Sequence, residues 1–143
     1  MSDDAVEPVD IARAMWALYA VRDVPKFLSF AADGLAYSMF IPQEVLPFGG
    51  ETIGRAAFSD RIQMVFSQFY TLRYEGMVLG HEGNTVRGQV AYCFKHKATG
   101  EAIEGVMRQV FHFEDGKVAR LHEFHDVERI RAFVRLVSHV AQE

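Results

Sequence analysis

Residues 85–126, TVRGQVAYCFKHKATGEAIEGVMRQVFHFEDGKVARLHEFHD, decide the fold of this chain. Three extended runs are legible in it: Thr85 to His96, Ala102 to Phe113 and Val118 to His125. They are separated by Lys97-Ala98-Thr99-Gly100 and Glu114-Asp115-Gly116. Short, turn-rich gaps of this kind join antiparallel strands. A fourth run, Leu72 to Leu79, precedes them across His81-Glu82-Gly83-Asn84. The period then changes after Asp126. Ile130, Phe133, Val134 and Val137 recur on one helical face, which predicts a closing helix over residues 127–141.

Upstream of the meander the spacing is mostly helical. Val9, Ala12, Met15, Trp16 and Tyr19 predict a helix over 9–22, behind a segment 1–8 expected to be flexible. A short helix over 24–32 follows, with Asp23 as N-cap and Pro25 in the first turn. Leu35 to Ile41 reads as a strand, 42–51 as a Pro/Gly loop, and 52–68 as a third helix capped by Thr52. Helices first and a meander afterwards predict an α+β domain over 9–143, with the helices covering one face of a curved sheet.

Composition excludes several function classes. One hydrophobic residue in two, with 12 Phe, 5 Tyr and 1 Trp, is incompatible with a disordered chain. Fifteen Lys+Arg against 19 Asp+Glu leave a formal charge of −4, so nucleic acid is not an expected partner. No run of about 18 apolar residues predicts a membrane span. The acidic start, Met1 to Pro8, is unlike a secretory signal, and the single Cys93 permits no internal disulfide. A cytoplasmic location is therefore expected. No metal site or cofactor is expected either: His112 and His122 beside Arg108 read as a surface patch.

Element order and three local signatures resemble the nuclear transport factor 2-like superfamily, nearest its SnoaL-like and ketosteroid-isomerase-like branch. The signatures are Phe30-Ala31-Ala32-Asp33 before a strand, Gly50-Glu51-Thr52-Ile53-Gly54-Arg55 opening the third helix, and Phe113-Glu114-Asp115-Gly116-Lys117-Val118 leading to Glu123-Phe124-His125-Asp126. The resemblance implies a cone, in which a bent mixed sheet and its helices enclose a deep apolar pocket. It also implies a tendency to dimerise through the outer sheet face. Isomerases, dehydratases, epoxide hydrolases and aldol-type cyclases share this fold, as do non-catalytic binding modules, so the fold alone does not assign a reaction.

Strand alternation assigns the faces. With a three-residue loop at 114–116, Met107 lies opposite Glu123 and Gln109 opposite Leu121; with an even loop at 97–100, Val90 pairs with Met107 and Tyr92 with Gly105. One face then carries Val90, Tyr92, Phe94, Met107, Gln109, Phe111, Leu121, Glu123 and His125, and the other Arg108, Val110, His112, His122 and Phe124. Laid along the ketosteroid-isomerase pattern, Ser38 falls at the carboxylate base, Gln109 at the oxyanion acid, and Met15 or Trp16 near the oxyanion tyrosine, with Tyr19 one turn on. That apparatus is absent. So is the epoxide-hydrolase set, for no Arg-x-Asp lies on the strand 85–96, although Glu123 matches one of its acids.

Glu123 and His125 remain, two apart on one strand face. A carboxylate that orients an imidazole makes a general base near neutral pH. Two readings stay open. In one, His125 is the acid or base, Glu123 orients it, and Gln109 or Tyr92 supports oxyanion charge. In the other, Glu123 is a structural acceptor and His125 sits at a wet rim. The expected ligand is a small hydrophobic or aromatic molecule lined by Trp16, Tyr19, Ser38, Val90, Tyr92, Phe94, Met107, Phe111 and Leu121. A dimerising or ligand-binding module with no turnover is the alternative function.

Overall fold

The computed structural model describes residues 6–141. Its elements run α1 (Pro8–Ala20), α2 (Val24–Leu28), β1 (Ala31–Phe40), β2 (Gly50–Ile53), α3 (Arg55–Gln68), β3 (Phe69–Glu82), β4 (Thr85–His96), β5 (Ala102–Glu114), β6 (Lys117–Phe124) and α4 (Val127–Ala141). The expected flexible segment 1–8 falls mostly outside the described residues, and Pro8 already opens α1. Asp23 caps α2 as expected, its side chain accepting from the Lys26 N–H at 3.2 Å.

The six strands form one mixed sheet in the order β2-β1-β6-β5-β4-β3. β1 and β6 are parallel neighbours, and every other pairing is antiparallel. The sheet is curved and does not close, and α1 and α3 pack into its hollow. This is the α+β cone. Bulges bend the strands that form it. β3 slips past β4 between Thr71 and Arg73 and again between Val78 and Gly80. β1 slips past β6 between Ala31 and Ala36.

The β4–β5 register, Val90 to Met107 and Tyr92 to Gly105, is as expected. The β5–β6 register differs from the expected one by two residues: Gln109 faces Glu123 and Phe111 faces Leu121. The cause is local. Glu114 pairs with Lys117, so the turn has two residues, Asp115 and Gly116, both with positive φ (51° and 77°). That is the backbone of a type I′ hairpin. Ala119 is then an extra residue on β6, between Val118 (opposite Phe113) and Arg120 (opposite His112). A slip of two keeps every side chain on its face.

Two further expectations are corrected. The loop 42–51 is shorter than expected, because Gly50–Ile53 forms β2 against residues 36–39 of β1. Thr52 therefore lies in a strand and does not cap α3, whose N-cap is Gly54 at φ 99°. Four residues with a glycine among them are too short a run to show a strand period.

The core is fixed by one large ring. Trp16 of α1 is buried and lies flat on the β3–β4 pair. A Cβ at Gly76 would stand 2.1 Å from its Cδ2, and one at Gly88 2.4 Å from its Cζ2. Both positions are glycine because the indole occupies the space a side chain would need. Phe111 meets the same ring edge-on, with centroids 5.8 Å apart.

Candidate functional site

Alternation on the inner strands, applied to the observed pairings, brings Tyr37, Gln109 and Glu123 together inside the cone. Tyr37 and Met39 of β1 sit beside Leu121 and Glu123 of β6, and Gln109 of β5 faces Glu123 from the other side. His125 follows β6 directly, where the chain turns into α4.

Glu123 is the hub, buried with both oxygens in use. Its Oε1 accepts from the Tyr37 hydroxyl at 2.9 Å and from His125 Nε2 at 2.7 Å. Its Oε2 accepts from Gln109 Nε2 at 2.8 Å. The amide orientation of Gln109 is dictated from behind: Trp16 Nε1–H can only donate, and it donates to Gln109 Oε1 at 2.7 Å. Burial opposes the charge on Glu123, but the hydrogen bond and charge of His125, then the bonds from Gln109 and Tyr37, outweigh it and hold the carboxyl below its usual range. Burial, reinforced by the Glu123 charge, pushes the Tyr37 phenol well up, so it stays a donor. His125 and Glu123 side chains are 8% and 9% exposed. With Nε2 given to Glu123, His125 Nδ1 is buried and has no partner among the described residues.

These groups face a cavity of about 280 Å³. Its walls are mainly aromatic and aliphatic, from Tyr19, Phe27, Tyr37, Phe58, Tyr74, Tyr92, Phe94 and Met107. The loop residues Val45 to Phe48 and the apolar face of α4 (Ile130, Phe133, Val134, Val137) surround it further. Tyr19 stacks on Tyr74 at 4.3 Å, and burial pushes both phenols upward.

Among the residues expected at a site, Tyr19, Tyr92, Phe94, Met107, Gln109, Leu121, Glu123 and His125 line the cavity. Trp16, Val90, Phe111 and Ser38 do not. The first three are packed behind the wall, where α1 meets the strands. Ser38 points away from Tyr37 and Met39, as strand alternation requires, and its hydroxyl donates to Glu51 Oε2 at 3.2 Å. Gln109 gives Oε1 to Trp16 and one Nε2 hydrogen to Glu123 and so positions the carboxylate, while Nε2 also lies 4.0 Å from Met107 Sδ. Tyr92 aims its hydroxyl over Gly105, where a Cβ would come within 2.9 Å of it.

Two wall residues escape a reading of the sequence. Tyr37 shares a strand with Ser38, and only the parallel pairing with β6, some eighty residues later, tells which of the two faces inward. Arg61 resembles an ordinary surface arginine of α3, yet it is buried against the cavity. Among the described residues no three His, Cys, Asp or Glu converge as a metal-binding group. Among them, too, no helix is long and apolar enough to cross a membrane.

No curated protein matches the chain. Several solved structures share its fold. An NTF2-like protein of unknown function from Burkholderia pseudomallei K96243 superposes with a TM-score of 0.81 at 16% identity, over 94% of this chain and 99% of that one. A Xanthomonas campestris protein provisionally named a polyketide cyclase gives 0.73 at 19% identity, over 89% and 96%. TerC, co-crystallized with polyporic acid, gives 0.73 at 14% identity, over 90% and 98%. At such identities the likeness is one of fold. The SnoaL-like domain model, in contrast, matches residues 12–121, more than half of the sequence and nearly all of the cone. The chain belongs to the SnoaL-like domain family.

Proposed function

We propose that this protein binds a flat apolar or aromatic small molecule in its cavity and moves a proton on it, as an isomerase, a dehydratase or an aldol-type cyclase does. One observation carries the reading. His125 is held through Nε2 by an ionised, fully used carboxylate, while Nδ1 has no partner among the described residues. A ligand that displaces the wall over Nδ1 reaches that lone pair, which takes a proton from a carbon acid while Glu123 stabilises the imidazolium that forms. The electron pair left on the substrate moves to its carbonyl oxygen. The proton then returns to another carbon, departs with a hydroxyl as water, or ends on the alkoxide of a newly closed ring.

The Tyr19 hydroxyl is the donor for that oxyanion. It lines the cavity, burial keeps it protonated, and no described residue bonds to it. An open cavity supports ligand binding over a cone packed shut. So does its size. A dry cavity of about 150 Å³ takes up benzene, and this one is about 280 Å³. TerC, with polyporic acid in its crystals, has the same fold.

5-Nitrobenzisoxazole tests the reading: a base removes its C–H as the ring N–O bond breaks, releasing a coloured cyanophenolate. The protein is expected to accelerate this elimination, and His125→Ala to lower the rate about 100-fold. An undiminished rate in His125→Ala would remove His125 as the base.

The outer sheet face is proposed as the contact with a second copy. Phe40 and Phe124 stack there at 4.7 Å, both exposed, with Val106 exposed on β5. Light scattering is expected to report a dimer that Phe124→Lys converts to monomer. A monomeric wild-type protein at micromolar concentration would end this part of the reading.

A further inference from the structure

We infer that Arg61 is the receptor for a carboxylate carried by an otherwise apolar, aromatic ligand of the same cavity. The inference rests on the ligand-binding half of the proposed function and is independent of the proton-transfer half.

Arg61 projects from α3 with 8% of its surface exposed and lines the cavity. Its Nη1 donates to the Gly50 carbonyl at 2.8 Å, and its guanidinium lies over the Tyr37 ring at 5.5 Å. A guanidinium has five N–H donors. Among the described residues no others of Arg61's are matched, and no carboxylate stands within ion-pair distance of it. A buried cation without a counter-charge is costly. The wall holds one other side chain of fixed formal charge, Glu123. Both Glu123 oxygens are already engaged by Tyr37, His125 and Gln109. The cavity therefore keeps a positive corner that the protein leaves unneutralised.

The shape of that corner selects the anion. The planar guanidinium fork fits two oxygens in one plane, as a carboxylate presents them. Tyr37 also sets the direction of the ligand. Arg61 lies over the face of its ring and Glu123 accepts from its hydroxyl, so one phenol links the positive corner to the His125–Glu123 pair. A ligand anchored at Arg61 lays its apolar body along Tyr37 toward His125.

Two probes of nearly equal shape separate this role from a brace for the loop at Gly50. Titration calorimetry at pH 7.5 compares 2-naphthoate with the neutral 2-acetylnaphthalene. Wild-type protein is expected to bind naphthoate at least 10-fold more tightly. Arg61→Met is expected to erase that preference while leaving the affinity for acetylnaphthalene within 3-fold. Arg61→Lys, which keeps the charge without the fork, is expected to reduce the preference at least 3-fold, and it serves as the readout where circular dichroism shows Arg61→Met unfolded. Equal binding of the two probes by wild type overturns the inference and leaves the ligand-binding cavity standing. A preference that survives in the variants overturns it as well. Binding of neither probe overturns both readings together.

Discussion

Replacing Glu123 by Gln tests the centre of the site with a change of one atom. The carboxylate accepts three hydrogen bonds, from Tyr37, His125 and Gln109. An amide has one acceptor oxygen and two N–H groups. Its oxygen can keep two of the three donors, but its nitrogen must then face the third. Hydrogen bonds to a charged group contribute about 1 kcal/mol more than neutral ones, and a buried donor left unmatched costs about 1–3 kcal/mol. Two weakened bonds and one lost one amount to about 4 kcal/mol. Relief from burying a charge offsets part of this, leaving a net loss of about 3 kcal/mol at pH 7. For a domain of this size that lowers Tm by roughly 10 °C.

The pH dependence makes the test specific. Hydrogen bonds hold the Glu123 carboxyl below its ordinary 4.5 in the folded protein, against burial. A group depressed in this way contributes stability that is complete above its unfolded pKa and is lost as pH falls through the folded one. Urea titrations of wild type and Glu123→Gln are therefore expected to differ fully above about pH 5 and to converge progressively at lower pH. Equal stabilities at pH 7, or a gap that persists unchanged into acid, would refute the picture of an ionised hub.

Other substitutions probe the frame around it. Gly88→Ala places a Cβ 2.4 Å from Trp16 Cζ2, well inside the contact distance of two carbons. The expected cost is about 2–4 kcal/mol as the indole is driven off Gln109, and a Tm within 2 °C of wild type, by the roughly 3 °C per kcal/mol of such a domain, would contradict it. Gly116→Ala meets no neighbouring atom, so its cost is backbone strain alone at φ 77°, about 1 kcal/mol by chemical denaturation. Tyr37→Phe removes one donor from Glu123 without touching the others. It is expected to lower stability by about 1–2 kcal/mol, and an unchanged denaturation midpoint would argue that the phenol does not engage the carboxylate.

The meander was the most legible part of the chain. Gly83-Asn84, Thr99-Gly100 and Asp115-Gly116 punctuate it, and β4 and α4 have the ends that spacing predicts. Period 2 also sorted the strand faces correctly, even though the β5–β6 register moved by two residues, because that slip is even. Contacts made across long stretches of sequence were not legible. Nothing near Ser38 tells that β1 runs parallel to β6, so the local sequence does not show that Tyr37, its neighbour, faces inward. Nothing near Trp16 tells that Gly76 and Gly88 clear a bed for its indole, which draws the ring into the core and off the cavity wall. Arg61 carries no periodic signal, since a buried arginine at a helix–cavity boundary has the same local sequence as an exposed one.

Trp16 is the chain's only tryptophan. Its indole N–H bonds to Gln109, and Gln109 bonds to Glu123. The molecule thus has a built-in optical probe two hydrogen bonds from its buried carboxylate. Indole emission shifts with the electric field across its ring system, so protonating Glu123 is expected to change the colour of Trp16 fluorescence. The same emission reports a ligand that disturbs Gln109. A titration of the cavity with protons, or with a ligand that does not absorb where tryptophan does, can be followed on unlabelled protein.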